Sequence, residues 1–159
     1  MKKRFVLVIL FVLLVGFSAS RMDAENKGMD FYLHAGVMTD DSFSFDPLLW
    51  TAGVNLDFHL GDFLVLSPEA HIIVHKFDFD PLWLAPGCLL NIKLQSFFVG
   101  GGLTKWFLIG DGYELSTDVA LKLNAGFTGE NFKLTAYAVM DFDNLFKDMI
   151  VGATFAIKF

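Results

Sequence analysis

The chain has 159 residues, room for one domain of ordinary size and not for two. Apolar residues make up 54% and charged residues 19%, against roughly 45–50% and about 25% in soluble domains, so the excess hydrocarbon must be buried in a core or turned toward lipid. The formal charge is −6, which argues against a nucleic-acid partner because phosphate binding needs a basic surface.

The chain opens with Lys2, Lys3 and Arg4, continues through an apolar run from Phe5 to Phe17 and reaches the small residues Ser18, Ala19 and Ser20. Positive, apolar, small is the order of a secretory signal peptide. The run falls short of the roughly 20 residues a spanning helix needs, so an uncleaved anchor fits less well than cleavage after Ser20. The expected organisation is a signal peptide at 1–20, a short periplasmic leader at 21–28 and one domain at 29–159. Cleavage leaves nine basic against 18 acidic residues, a formal charge of −9. The single cysteine, Cys88, lies far from the signal, which leaves neither a disulfide framework nor an N-terminal lipid anchor.

From Met29 onward the chain breaks into eight segments of alternating polarity, starting near Met29, Leu48, Phe63, Leu82, Phe97, Glu114, Phe132 and Met149 and separated by clusters of Asp, Gly, Asn, Ser and Pro. None keeps helical spacing over its full length, so all eight are predicted strands. One parity in each is almost pure hydrocarbon. It runs Phe31 to Val37, Trp50 to Leu60, Leu64 to Val74 through Pro68, and Leu82 to Leu94 through Pro86 and Cys88. It continues as Phe98, Gly100, Gly102, Thr104, Trp106 and Leu108, then Leu115 to Phe127, Phe132 to Phe142 and Met149 to Phe159. The other parity holds Asp57, Glu69, Lys93, Lys105, Asp118, Lys122, Lys133, Asp141 and Lys158, with His34, His59, His71 and His75 and six glycines. Strand side chains alternate faces, so these are two separate surfaces.

Size decides which surface points inward. An eight-stranded barrel has an interior barely wide enough for side chains, and nearly fifty apolar residues do not fit there as they would in a lipocalin-like soluble barrel. Reversal would also place five lysines in lipid, each costing about 2–4 kcal/mol at the midplane. The fold expected is an all-β, eight-stranded antiparallel up-and-down transmembrane β-barrel. Short turns at Gly61-Asp62, Gln95-Ser96 and Thr128 to Asn131 belong to the periplasmic end, and longer connections near Asp40, Asp78, Asp111 and Asp143 to the exterior. Phe45-Asp46-Pro47-Leu48 recurs as Phe79-Asp80-Pro81-Leu82, the mark of hairpin duplication.

From Met29 to Phe159 the chain resembles the small OmpA/OmpX-type outer-membrane barrels, with OmpW-type barrels as an alternative. The most specific match is the ending Val151-x-Ala153-x-Phe155-x-Ile157-x-Phe159. The resemblance implies that Phe155, Ile157 and Phe159 form the signal read by the outer-membrane barrel assembly machinery. It also implies export by the general secretory route to the outer membrane of a diderm bacterium. Outer-membrane lipid and that machinery are then the partners, and the barrel is a monomer.

The inward charges Asp57, Glu69, His71, Lys93, Lys105, Asp118, Lys122, Lys133, Asp141 and Lys158 are expected to form a polar network, since a buried charge must be paired. Inward Leu49, Trp83, Leu89, Leu103 and Phe107 would add apolar patches. Two functions follow, a plugged non-enzymatic barrel for envelope integrity or surface interaction, and a conduit for small or hydrophobic solutes. A lipid-modifying enzyme is a third, although Ser67 has no nucleophile motif around it. No catalytic residue, cofactor or metal set is expected, because His71 and His75 lie some 13 Å apart along one strand. Pro68 and Pro86 remove ladder donors on adjacent strands and suggest a lateral seam between the third and fourth strands. Such a doorway is known by resemblance in the lipid A palmitoyltransferase type of barrel. Trp50, Phe77, Trp83, Trp106, Tyr113 and Phe146 fit an aromatic girdle.

Overall fold

The computed structural model describes residues 28–39, 48–75, 78–110, 113–143 and 149–159. The expected signal peptide at 1–20 lies outside them, as do the leader except Gly28, the repeat residues Phe45, Asp46 and Pro47, and the girdle residues Phe77 and Phe146. The described chain forms eight antiparallel strands closed into one barrel. They are β1 (Met29–Met38), β2 (Leu49–His59), β3 (Leu64–His75), β4 (Asp78–Leu94), β5 (Phe97–Gly110), β6 (Tyr113–Thr128), β7 (Phe132–Asp141) and β8 (Ile150–Lys158). Each strand pairs with its neighbour in sequence, and β1 pairs with β8 to close the ring. Closure leaves no edge strand with unpaired backbone, the condition for a sheet to exist in hydrocarbon.

Turns are short at the end that carries Gly28 and Phe159, the first and last described residues and hence the terminus end. Gly61 sits there at φ 88°, where a side chain is strained, and Gln95 takes a left-handed conformation in the two-residue connection from β4 to β5. At the other end two residues separate β3 from β4 and β5 from β6, whereas ten separate β1 from β2 and eight separate β7 from β8. The longer connections expected near Asp78 and Asp111 are therefore corrected: β4 already begins at Asp78, and β6 begins two residues after β5 ends. Strands β3 to β6 have 12, 17, 14 and 16 residues, against 10, 11, 10 and 9 for β1, β2, β7 and β8. One half of the wall rises above the other at the loop end.

Burial confirms the polarity of most strands. Tyr32, His34, Asn55, Asp57, Ser67, His71, Asn91, Lys122 and Lys133 are buried inside, while Leu33, Leu90, Ile92, Leu134, Phe155 and Ile157 are between 42% and 49% exposed outside. Phe97, Phe127, Phe132 and Phe155 form a continuous outer row across β5 to β8, with successive ring centroids 5.4, 6.0 and 6.1 Å apart. This row is an aromatic belt at the terminus end.

Two strands depart from the expected alternation. In β5 the parity is reversed: Phe98 and Thr104 are buried, whereas Val99 and Leu103 are 52% and 49% exposed. The register agrees, since Leu90 on the outer face of β4 lies opposite Gly101, and Leu84 opposite Phe107. Leu103 and Phe107 therefore face outward and do not line the lumen. In β6 the register against β5 shifts between Lys105 and Phe107. Leu115 pairs with Leu108 beyond that shift, on the inner parity, while Val119 and Leu123 below it face out. A bulge inserts an extra residue and so exchanges the two faces of the strand beyond it.

Candidate functional site

The lumen carries the polar residues, arranged in layers. Nearest the terminus end, Lys133 on β7 reaches across to Asp57 on β2. Its Nζ lies 3.0 and 2.8 Å from the two carboxylate oxygens and donates to Asn55 Oδ1 at 3.1 Å. Ser67 Oγ donates to Asp57 Oδ1 at 2.7 Å, and Asn91 Nδ2 donates to Ser67 Oγ at 2.8 Å. The ammonium also sits 4.9 Å from the Phe98 ring centre and 5.3 Å from that of Tyr32. Three strands thus meet on one carboxylate and a fourth joins through the Ser67 hydroxyl, and the buried charge is both paired and hydrogen-bonded, which makes it tolerable. Beside it Asp30 accepts from Lys158 and lies 3.0 Å from His59 Nε2.

One layer further in, alternation places Glu69 and His71 on the same face of β3. Lys122 from β6 comes within 2.5 Å of Glu69 Oε1 and 3.0 Å of His71 Nε2, and it lies 4.3 Å above the Tyr137 ring. His71 Nε2 is also 3.1 Å from Glu69 Oε1. The ring of His34 on β1 stands 4.4 Å from that of His71. Gly53 makes the close approach of these layers possible, because a Cβ there would meet the Ala70 carbonyl oxygen at 2.0 Å and the His34 ring at 2.9 Å.

Toward the loop end the lining turns apolar. Met38, Ile73, Ala85, Tyr137 and Val139 form a buried cluster, with Leu49, Trp83, Trp106, Ala120 and Ile150 packed against it. Trp83 and Trp106 meet edge to face at 6.1 Å; they belong to this inner cluster and not to an outer girdle. Beneath it lie two small cavities, one lined by His34, Glu69, His71, Lys122 and Asn124, the other by Tyr32, Asp57, His59, Lys93 and Thr128. Lys133 lines both.

The structure therefore divides the ten residues expected in the polar network. Asp57 with Lys133, Glu69 with His71 and Lys122, and Lys158 with Asp30 are joined. Lys93 lines the lower cavity and, among the described residues, has no ion pair. Asp118 and Asp141 are exposed near the loop end, where Asp141 Oδ1 accepts from the Asp143 backbone N–H at 3.2 Å. Lys105 is corrected to the outer face: it pairs with Val119 and follows the parity of Leu103 and Phe107. Asp30, Asn55, Ser67, Asn91 and Tyr137 were not among the expected members. Their signal was available, since each holds an inward parity position.

The seam expected between β3 and β4 is also corrected. The β3–β4 register runs unbroken from Leu64 opposite Ile92 to Ile73 opposite Trp83, through Pro68 opposite Cys88 and Ala70 opposite Pro86. The lapses fall on the flanking ladders. Pairing of β2 with β3 skips from Asn55 to Phe58, opposite Ser67 and Pro68, and pairing of β4 with β5 skips from Leu84 to Gly87. Antiparallel residues direct N–H and C=O to the same neighbour, so each proline faces away from the shared ladder. Asn55 Nδ2 accordingly donates to the Pro68 carbonyl at 3.4 Å and Thr104 Oγ1 to that of Pro86 at 3.0 Å.

Chemically, the described lumen offers fixed, paired charges, and the Ser67 hydroxyl is held as a donor to Asp57. Among the described residues no group of three or more His, Cys, Asp or Glu side chains is placed to hold a metal ion.

No protein-family model and no curated protein matches the chain. Among solved structures it is similar to a de novo designed transmembrane β-barrel, at 13% identity over 85% of this chain and 99% of that one, with a TM-score of 0.51. Others are the N-terminal β-barrel domain of Pseudomonas aeruginosa OprF (13% identity, 82% and 97% covered, TM-score 0.49) and the attachment invasion locus protein Ail of Yersinia pestis (11%, 84% and 100%, 0.41). At these identities the likeness is one of fold, and the fold is that of a transmembrane eight-stranded β-barrel.

Proposed function

We propose that the protein is a non-enzymatic outer-membrane barrel of a diderm bacterium, with a plugged lumen, that serves envelope integrity or surface interaction. One observation carries this reading: an apolar cluster around Met38, Ile73 and Tyr137 lies above two layers of ion pairs inside the same narrow ring. Water and ions crossing the lumen would have to pass both, and hydrocarbon constrictions exclude ions by dewetting. Secretory export, assembly by the outer-membrane machinery through the β8 ending, and a monomeric state belong to the same proposal. Single-channel recording of the purified protein in planar bilayers tests it. Absence of conductance steps is expected, and reproducible steps would overturn the plug.

A second reading, a conduit for small solutes, is favoured by the two cavities that share Lys133. They form a polar path from the terminus end that stops at the apolar cluster. Conductance by the unaltered protein would favour this reading over the first.

A further inference from the structure

The outer face holds one residue that its surroundings do not explain. Below the β6 bulge, every described outward position apart from Lys105 is Gly, Pro, Cys or a hydrophobic residue. Lys105 is flanked along β5 by Leu103 and Phe107, lies opposite Val119 on β6, and falls level with Pro86 in the gap of the β4–β5 ladder. Its Nζ is 5.5 Å from the Phe107 ring centre, and among the described residues it forms no ion pair. Pro86 has no N–H, and its carbonyl takes the Thr104 hydroxyl. On the other side the Thr117 hydroxyl accepts from the Trp106 backbone N–H and donates to the Asp118 carbonyl. The backbone groups beside the lysine are thus occupied, and its charge has no counter-ion among the described residues.

Height along the barrel says where that charge lies. Phe97 belongs to the aromatic row at the terminus end, and Lys105 is eight residues further along β5. At a rise of about 3.3 Å per residue and a tilt of about 40°, this is roughly 20 Å of an apolar band about 25 Å tall. A lysine stem extends its ammonium several ångströms toward the nearer interface. The cation therefore emerges among the headgroups of the outer leaflet, where charge is far better tolerated than at the midplane.

We propose that Lys105, in the notch left by Pro86, binds the phosphate of an anionic lipid in the outer leaflet. The site rests on the transmembrane fold and is independent of whether the lumen conducts. The test compares the full protein in phosphatidylcholine vesicles, in the same vesicles containing diphosphorylated lipid A, and in phosphatidylcholine with inorganic phosphate. Lipid retained on the protein is read by native mass spectrometry and the thermal midpoint by heat-dependent gel mobility.

The expected result is retention of lipid A and a raised midpoint for the wild type. Lys105→Met should lose at least ten-fold of the retention, Lys105→Arg should keep it, and inorganic phosphate should do neither. Equal retention by Lys105→Met overturns the proposal, as does equal stabilisation by free phosphate. Should Lys105→Met not fold, the wild type alone decides: dephasing of the lysine side-chain ¹⁵N signal by ³¹P in solid-state NMR that is stronger in the lipid A vesicles than in phosphatidylcholine alone supports the site, and equal dephasing in the two overturns it.

Discussion

Asp30 and Asp57 lie directly opposite one another across the β1–β2 ladder, yet each carboxylate is held by a different lysine, Lys158 from β8 and Lys133 from β7. Like charges placed directly across a ladder destabilise it. Here the pair instead ties β1 and β2 to the two last strands of the chain, at the junction where the barrel closes.

Removing Asp57 should be severe. Lys133 would be left buried and unpaired, a loss of about 3–5 kcal/mol, whereas Asp57→Ala with Lys133→Met should cost clearly less than the two single changes together. Asp30→Ala should cost about 1 kcal/mol or less, because that pair is partly exposed. Urea unfolding in vesicles, followed by tryptophan fluorescence, measures all four.

The apolar cluster should act as the barrier. Tyr137→Ala removes the ring shared by that cluster and Lys122 and should cost about 3–5 kcal/mol, as for other large aromatic truncations. It should also produce conductance steps absent from the wild type. Inside, Lys93, Lys122, Lys133 and Lys158 outnumber Asp30, Asp57 and Glu69, so the opened pore should prefer anions, visible as a reversal-potential shift in a salt gradient.

Gly126 faces inward where nothing larger fits. A Cβ there would lie 2.0 Å from the Leu134 carbonyl oxygen and 2.5 Å from the Phe98 ring, the ring that covers Lys133. Gly126→Ala should destabilise the barrel by about 1–3 kcal/mol through overpacking, seen as a lower urea midpoint with an unchanged slope.

Backbone amide exchange should locate the weak ladders. Leu56 and Lys105, level with the two prolines in the lapses of pairing, should exchange faster than residues such as Ser67 and Leu89 within the continuous β3–β4 ladder. Uniform protection would remove the distinction between these ladders.

Cys88, the only cysteine of the chain, is exposed on the outer face between Pro86 and Leu90. In vesicles it should resist a charged thiol reagent that modifies it fully once the protein is unfolded, a difference read directly by mass.

How much of this was legible from residue order depended on contrast. In β1 to β4, β7 and β8 a charged or histidine residue recurs against Leu, Ile or Phe, and the two faces separate plainly. In β5 the run Gly100-Gly101-Gly102 followed by Leu103 and Thr104 carries little contrast. Lys105 then outweighed its neighbours and turned the whole strand over. A bulge cannot be seen in alternation until the far side is known, so Leu115 was assigned by counting through it. The pairs across the lumen were hidden for another reason. Lys122 with Glu69 and Lys133 with Asp57 join strands that are not neighbours, and their meeting depends on the stagger of the closed ring, which no local pattern encodes.

Because β4, β5 and β6 outrun the strands opposite them, the molecule has a front and a back. Seen from the loop end, the described wall stands high on one side and low on the other. Identical copies side by side in a membrane would therefore not be interchangeable under rotation, since a tall flank and a short flank offer a neighbour different lengths of strand.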